Sequence, residues 1–200
     1  MSRRVFAALE LPPEVQRQLA QLQKDIQAAV PPRCVRWVRP EGIHLTLKFY
    51  GEVANARLPD LQAGLARAAG ATWPMALTAE GVGVFPNAAR PTVVWAGVSG
   101  DLAPLQQLQA AVEDEAIRLG FKPEGRGYQP HLTLGRVNDG VGPADARRLM
   151  AALEPARARH FGEFTPARLS LMKSELGPGG SVYTPLGTVT LGPLERSSRG

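Results

Sequence analysis

Two short stretches of the chain alternate between apolar and polar residues, and both contain the tetrapeptide His-Leu-Thr-Leu. The copies occupy residues 44–47 and 131–134. Alternation with branched side chains is typical of a half-buried strand. It predicts that the leucines pack into a core, while each histidine shares the opposite face with the threonine two residues later. If the two strands are neighbours, two imidazoles and two hydroxyls meet in one cleft.

The remaining pattern predicts four helices and further short strands. Helical spacing predicts helices from the Pro12-Pro13 pair to about residue 29, and at 57–69, 102–119 and 143–153. Apolar runs predict strands at 4–9, 34–38, 43–50, 75–84, 91–98, 131–137, 160–164, 167–175 and 182–190. The hairpin signals favour an antiparallel α+β fold over a doubly wound parallel sheet.

Three local signals predict how elements begin and end. Gly51 is expected to end the first motif strand, and Asp101 is expected to cap the third helix. The terminal residues 196–200 are expected to be frayed.

The composition is that of a basic globular protein. The 200 residues are 44% hydrophobic, which suits a single domain with an ample core. The net charge is +5, and only four of the 23 cationic residues are lysines. A basic, arginine-rich surface favours polyanionic partners such as RNA, although an arginine-rich genome would produce the same composition. Charge alone therefore does not identify a nucleic-acid substrate.

The cysteine count and the hydropathy predict a cytoplasmic location. Cys34 is the only cysteine, so no intramolecular disulfide can form and a reducing compartment is compatible. Arg3 and Arg4 are not followed by an apolar segment long enough for a signal peptide. No stretch approaches the roughly 18 apolar residues of a membrane span. We expect no association with a membrane, and we expect a monomer.

The two motifs, about half a chain apart, resemble those of the two-histidine phosphoesterase superfamily. The most similar branch is the RNA 2′,3′-cyclic phosphodiesterases, also called 2′-5′ RNA ligases. The flanking residues extend the resemblance over roughly the whole chain, through 4–9, 37–41, 83–87, Arg90-Pro91, Val94-Trp95, Ser174 and Tyr183. Tyr50 departs from the family, which more often has an aliphatic residue there, and could alter the wall of the cleft. The resemblance implies one two-lobed domain over residues 1–200, with pseudo-symmetric antiparallel sheets around a central cleft and helices outside.

The resemblance also implies the chemistry. His44 and His131 would be the acid–base pair that hydrolyses an RNA 2′,3′-cyclic phosphate end to a 2′-phosphate, without a metal and without a cofactor. Thr46, Thr133 and Arg136 would bind the phosphate oxygens. We assign His44 as the acid and His131 as the base, although the sequence is nearly symmetric on this point. The expected partner is RNA ending in a 2′,3′-cyclic phosphate.

Simple alternation and the resemblance disagree beyond the motifs. Strict alternation places Arg136 with the leucines, unless a bulge at Gly135 resets the strand. Alternation also predicts that Phe49 lies in the core, whereas the resemblance implies that it can contact a base. Lys48 is expected to share the face of His44 by spacing alone.

Other kinds of site have weaker support. Cys34, His44, His131 and His160 could in principle bind zinc, but they lack the local spacing of structural zinc ligands. His160 is expected at a strand edge. The chain contains neither a G-x-S-x-G elbow nor a P-loop. Three alternatives stay open: RNA ligation, another cyclic-phosphate substrate such as a nucleotide, and a non-catalytic RNA-binding module.

Overall fold

The structure is a computed structural model that describes residues 1–72, 74–177 and 180–192. Its helices are α1 (Pro13–Ala29), α2 (Leu58–Gly70), α3 (Leu102–Arg118) and α4 (Pro143–Leu153). Its strands are β1 (Ser2–Glu10), β2 (Val35–Trp37), β3 (His44–Ala54), β4 (Leu77–Phe85), β5 (Val93–Gly100), β6 (His131–Val137), β7 (His160–Phe164), β8 (Arg168–Gly177) and β9 (Gly180–Thr190). The predicted bounds of β6, α4 and β7 are confirmed, and the predicted fraying at 196–200 falls outside the described residues.

Within the described residues, the strands form one nine-stranded sheet. Its order is β7-β4-β5-β6-β3-β1-β8-β9, and β2 pairs with the edge of β6 that also pairs with β3. Every pairing among the described residues is antiparallel, which confirms the α+β class. The first half of the sheet contains β1, β3, β8 and β9, and the second half contains β4 to β7. The halves join between the two motif strands, where Leu45 is aligned with Leu132.

The helices cover one face of the sheet. The main core lies between them and the sheet, and it includes the motif residues Leu45 and Leu132, both fully buried. The opposite face, which we call the open face, carries a smaller buried cluster of Phe6, Ala8 and Met172. The helices therefore leave one side of both motif strands free for a site.

The first and third helices cross between the halves. Helix α1 follows β1 of the first half but packs against β7 and α4 on the second half. Helix α3 follows β5 of the second half but packs against β3 and α2 on the first half. Each half is therefore covered partly by a helix that belongs to the other half in sequence.

Both motif strands contain a bulge at the second leucine of the motif. In β3 the register with β1 shifts from Ala8–Thr46 to Ala7–Lys48, so that Leu47 is the extra residue. In β6 the register with β5 shifts between Thr133 and Gly135, so that Leu134 is extra. An extra residue reverses the facing of everything that follows it. Strand β3 also continues through Gly51 to Ala54 with a further register shift, so the prediction that Gly51 ends it is wrong.

Because of this bulge, Lys48 points to the helix side and is buried, and the prediction that it shares the face of His44 is wrong. Its Nζ donates to Glu113 Oε1 on α3 and to the carbonyl oxygen of Lys122, both at 3.0 Å. Glu124 adds a carboxylate oxygen 3.6 Å from Nζ. These contacts fix the segment that leads from α3 to β6 against the first motif strand.

Two aromatic residues support the same connection. The Tyr128 hydroxyl donates to the carbonyl oxygen of Thr46 at 3.1 Å. Tyr50 is buried on the helix side, edge-on to Phe121 with ring centroids 5.2 Å apart. The departure at Tyr50 therefore changes the packing beneath the sheet rather than the wall of the open face.

Asp101 stands at the start of α3, but its side chain makes no capping bond. Its Oδ2 instead accepts a hydrogen bond from the backbone N–H of Ala76 at 2.8 Å. The predicted cap position is therefore confirmed, but the carboxylate joins the helix start to the residue before β4 instead of bonding the first N–H groups of the helix. In the described part of the chain, no helix has both the length and the apolar character to cross a membrane.

Candidate active site

The junction of the two halves brings the motif side chains together. The antiparallel alignment of Leu45 with Leu132 places His44 beside Thr133 and Thr46 beside His131. All four residues are partly buried on the open face. The site residues predicted from alternation thus meet at one place, each histidine next to the threonine of the other motif.

The two imidazoles are held in the same way. His44 Nδ1 lies 2.6 Å from the carbonyl oxygen of Gly42, and His131 Nδ1 lies 2.8 Å from that of Gln129. Because a carbonyl only accepts, Nδ1 carries the proton in both rings. Each Nε2 is therefore the nitrogen left for chemistry, as an acceptor when the ring is neutral and as a donor when it is charged.

His44 lies within an aromatic cluster. Phe6 stacks on its ring with centroids 4.6 Å apart, and Tyr183 meets it edge-on at 4.9 Å. Burial lowers the pKa of His44 to about 4, a shift that the bond to Gly42 and the nearby Glu10 carboxylate partly oppose. The charge of His131 lowers the pKa further, so the two imidazoles interact electrostatically. In the free protein at neutral pH, His44 is therefore uncharged.

His131 is supported by aromatic residues of the second half. Phe85 meets its ring edge-on with centroids 5.0 Å apart, and Trp95 lies against Phe85 at 5.2 Å. The indole covers Gly83, where an added Cβ would lie 2.3 Å from Trp95 Cζ2. Gly83 is therefore required for the indole to lie close to the strand and support the ring beside His131.

Arg136 lies on the open face because of the bulge at Leu134. Trp95 is opposite Thr133 and Val93 is opposite Arg136, and these two β5 residues share one face. The guanidinium is exposed on the same side as the histidines. A bulge thus turns Arg136 to the face of the histidines, as the sequence allowed. The extra residue is Leu134 rather than Gly135.

Phe49 occupies the equivalent place in the first motif, five residues after His44. It is 49% exposed and contacts Phe6 with ring centroids 5.4 Å apart. The prediction from alternation that Phe49 lies in the core is therefore wrong. The bulge at Leu47 turns it to the open face.

Two further charged residues of the open face were missed by the sequence reasoning. Glu10 is aligned with His44 across β1 and β3, and the buried Ser170 hydroxyl donates to its carboxylate. Arg36 is aligned with Arg136 across β2 and β6. Neither lies in a motif, so only the strand alignment reveals it.

The four residues considered for zinc do not converge. Cys34 is buried in the main core, and His160 is exposed at the start of β7. Within the ranges that the structure describes, no three His, Cys, Asp or Glu side chains are grouped as metal ligands.

Comparisons with known proteins identify one family and several relatives. A family described as LigT-like phosphoesterases matches residues 9–95 and again residues 98–183, one match for each motif. An RNA 2′,3′-cyclic phosphodiesterase of Methanothermobacter thermautotrophicus is 33% identical over 92% of the chain and 96% of the relative. One of Thermus thermophilus is 36% identical over 92% of the chain and 87% of the relative.

Two solved structures share the fold of this chain. The protein TT0787 of Thermus thermophilus superposes with a TM-score of 0.72 at 32% identity, covering 94% of this chain and 97% of that one. Escherichia coli LigT in complex with 3′-AMP superposes with a TM-score of 0.74 at 27% identity, covering 96% of this chain and 99% of that one.

Proposed function

The chain belongs to the LigT-like phosphoesterases, and from this premise we propose that it hydrolyses the 2′,3′-cyclic phosphate at the end of an RNA, leaving a 2′-phosphate. The observation that carries the proposal is the matched pair of histidines. Both rings are fixed through Nδ1 to a carbonyl, and both leave Nε2 free on the open face. Two such nitrogens on facing strands suit a reaction in which one imidazole accepts a proton and the other donates one.

In this reaction a water molecule attacks phosphorus opposite the departing O3′. The neutral imidazole accepts the proton of the water as the new P–O bond forms. The charged imidazole gives its Nε2 proton to O3′ as the P–O3′ bond breaks, so the product carries the phosphate on O2′. Each proton transfer contributes roughly 10²–10⁴-fold to the rate.

We propose His44 as the acid and His131 as the base. Burial makes the charged form of His44 a stronger acid than an ordinary imidazolium, because its pKa is lowered to about 4. The negative charge of a bound phosphodiester opposes this effect and allows His44 to carry a proton in the complex. Once His44 is protonated, the desolvated imidazolium releases its proton readily to a leaving oxygen.

The remaining open-face groups suit the phosphate. The hydroxyls of Thr46 and Thr133 lie beside the histidines and can donate to the two non-bridging oxygens. Arg136 lies further along the same face and supplies a positive charge. Donors fixed before the substrate arrives stabilise charge in the transition state without reorganising.

The test is turnover of an RNA oligonucleotide with a 2′,3′-cyclic phosphate end, in EDTA, by wild type, His44→Ala and His131→Ala. His160→Ala is the matched control, because it removes the third histidine, which is exposed on β7. We expect conversion to a 2′-phosphate, a loss of at least about 10²-fold in each motif variant, and full activity in the control.

Three outcomes would contradict the proposal. No turnover of several RNA and nucleotide cyclic phosphates would remove this substrate class. Salt-sensitive RNA binding that survives the loss of both histidines, without turnover, would favour a binding module. Loss of wild-type activity in EDTA would mean that a metal takes part.

A further inference from the structure

Arg36 and Arg136 form a pair of like charges on the open face. They are directly opposite in the antiparallel ladder of β2 and β6, and both are exposed. Their neighbours in the ladder point the other way, since a Cβ added to Gly135 would contact Val35 and Trp37 beneath the sheet. Both guanidiniums therefore project on the side of the histidines.

This pairing is unfavourable in the free protein. Like charges directly opposite on a sheet destabilise it. Across residues 1–72, 74–177 and 180–192, no carboxylate oxygen lies within 4.0 Å of either guanidinium. An anion between the two would remove the repulsion, and the planar guanidinium matches a phosphate through paired hydrogen bonds.

The position of the pair indicates which phosphate it binds. From His131 to Arg136 there are four effective strand steps once the bulged Leu134 is discounted, which is about 13 Å. Arg36 is opposite Arg136 on the edge of β6 that also pairs with β3, so Arg36 is displaced along the strands from the histidines by about the same distance as Arg136. A ligand held between the two guanidiniums must therefore extend beyond the terminal phosphate.

We propose that Arg36 binds the internucleotide phosphate adjacent to the terminal cyclic phosphate, with Arg136 opposite it on the neighbouring strand. This inference rests on the proposed function and narrows its substrate class. The preferred substrate is an RNA of two or more nucleotides, rather than a nucleoside 2′,3′-cyclic phosphate.

The test is the binding of a trinucleotide that ends in a 2′-phosphate and of a nucleoside 2′-phosphate, by wild type, Arg36→Gln and the control Arg147→Gln. Arg147 is an exposed arginine on α4, on the helix side. Arg36→Gln should weaken trinucleotide binding about tenfold and reduce its salt dependence by one phosphate contact, a slope change of about 0.7. Arg36→Gln should not change the binding of the nucleoside 2′-phosphate. Arg147→Gln should not change the binding of either ligand.

A matched trinucleotide with a neutral methylphosphonate in place of the adjacent phosphate should bind wild type and Arg36→Gln equally. The thermal midpoint of Arg36→Gln should be unchanged or slightly higher, because a repulsion is removed. If Arg36→Gln weakened the binding of the trinucleotide and of the nucleotide equally, or weakened neither, the inference would be overturned. Failure of the proposed function is separate, since it shows as absent turnover while the binding difference persists.

Discussion

The burial of His44 predicts a specific dependence of stability on pH. In the unfolded chain His44 titrates near its ordinary pKa of 6.5, whereas in the folded protein the pKa is lowered to about 4. Between these values the unfolded chain binds a proton that the folded protein does not. Stability from this group is therefore complete above pH 6.5 and is lost as the pH falls toward 4.

The expected loss is about 3 kcal/mol, because each tenfold change in proton affinity corresponds to 1.36 kcal/mol. Other groups also titrate in this range. Arg67, for example, lowers the pKa of Glu115 through a hydrogen bond, and that stability is likewise lost in acid. The contribution of His44 is thus the difference between wild type and His44→Gln, in which every other group is retained.

The assay is urea unfolding of both proteins at pH 7, 6, 5 and 4. Wild type should lose about 3 kcal/mol more than His44→Gln between pH 7 and pH 4, with most of the divergence below pH 6.5. Parallel curves would refute the reasoning, because they would mean that burial of His44 among the rings of Phe6 and Tyr183 does not disfavour the charged imidazole. Direct titration of the His44 ring by NMR checks the same value.

Two further predictions concern packing on either side of the sheet. Lys48→Met should lower the free energy of unfolding by about 3–5 kcal/mol, since the Glu113 carboxylate loses its buried cation. Adding Glu113→Leu should restore most of the lost stability. Strictly additive effects of the two substitutions in urea unfolding would contradict the ion-pair account. Gly83→Ala should lower the free energy of unfolding by about 1–3 kcal/mol by displacing the Trp95 indole, whereas Gly125→Ala, with no neighbouring atom within 4 Å, should have little effect; equal melting temperatures would contradict the proposed close contact.

Much of the fold could be predicted because it depends on local patterns. The helical spacing of apolar residues located α4, and alternation located β6, both with the bounds that the structure has. The positions of His44 and His131 on the open face followed from the same alternation. Within each motif the strand is regular, so a period of two assigns each side chain to its face.

The errors begin at the bulges. Lys48 and Phe49 were assigned to the wrong faces because a period of two was continued past Leu47. A bulge depends on how one strand pairs with its neighbour, and that pairing involves residues far away in the sequence. Arg36 was missed for the same reason, since only the alignment of β2 with β6 brings it opposite Arg136.

The crossing of α1 and α3 between the halves affects how the protein is synthesised. Helix α1 ends at Ala29, but β7, against which it packs, begins at His160. At roughly 5–20 residues per second, the buried face of α1 lacks this partner for on the order of 10 s after the helix has been translated. The strand that carries His44 is likewise made well before α3 can cover it. A nascent chain of this protein therefore presents apolar surface for most of its translation, and this interval is when it most needs protection from aggregation.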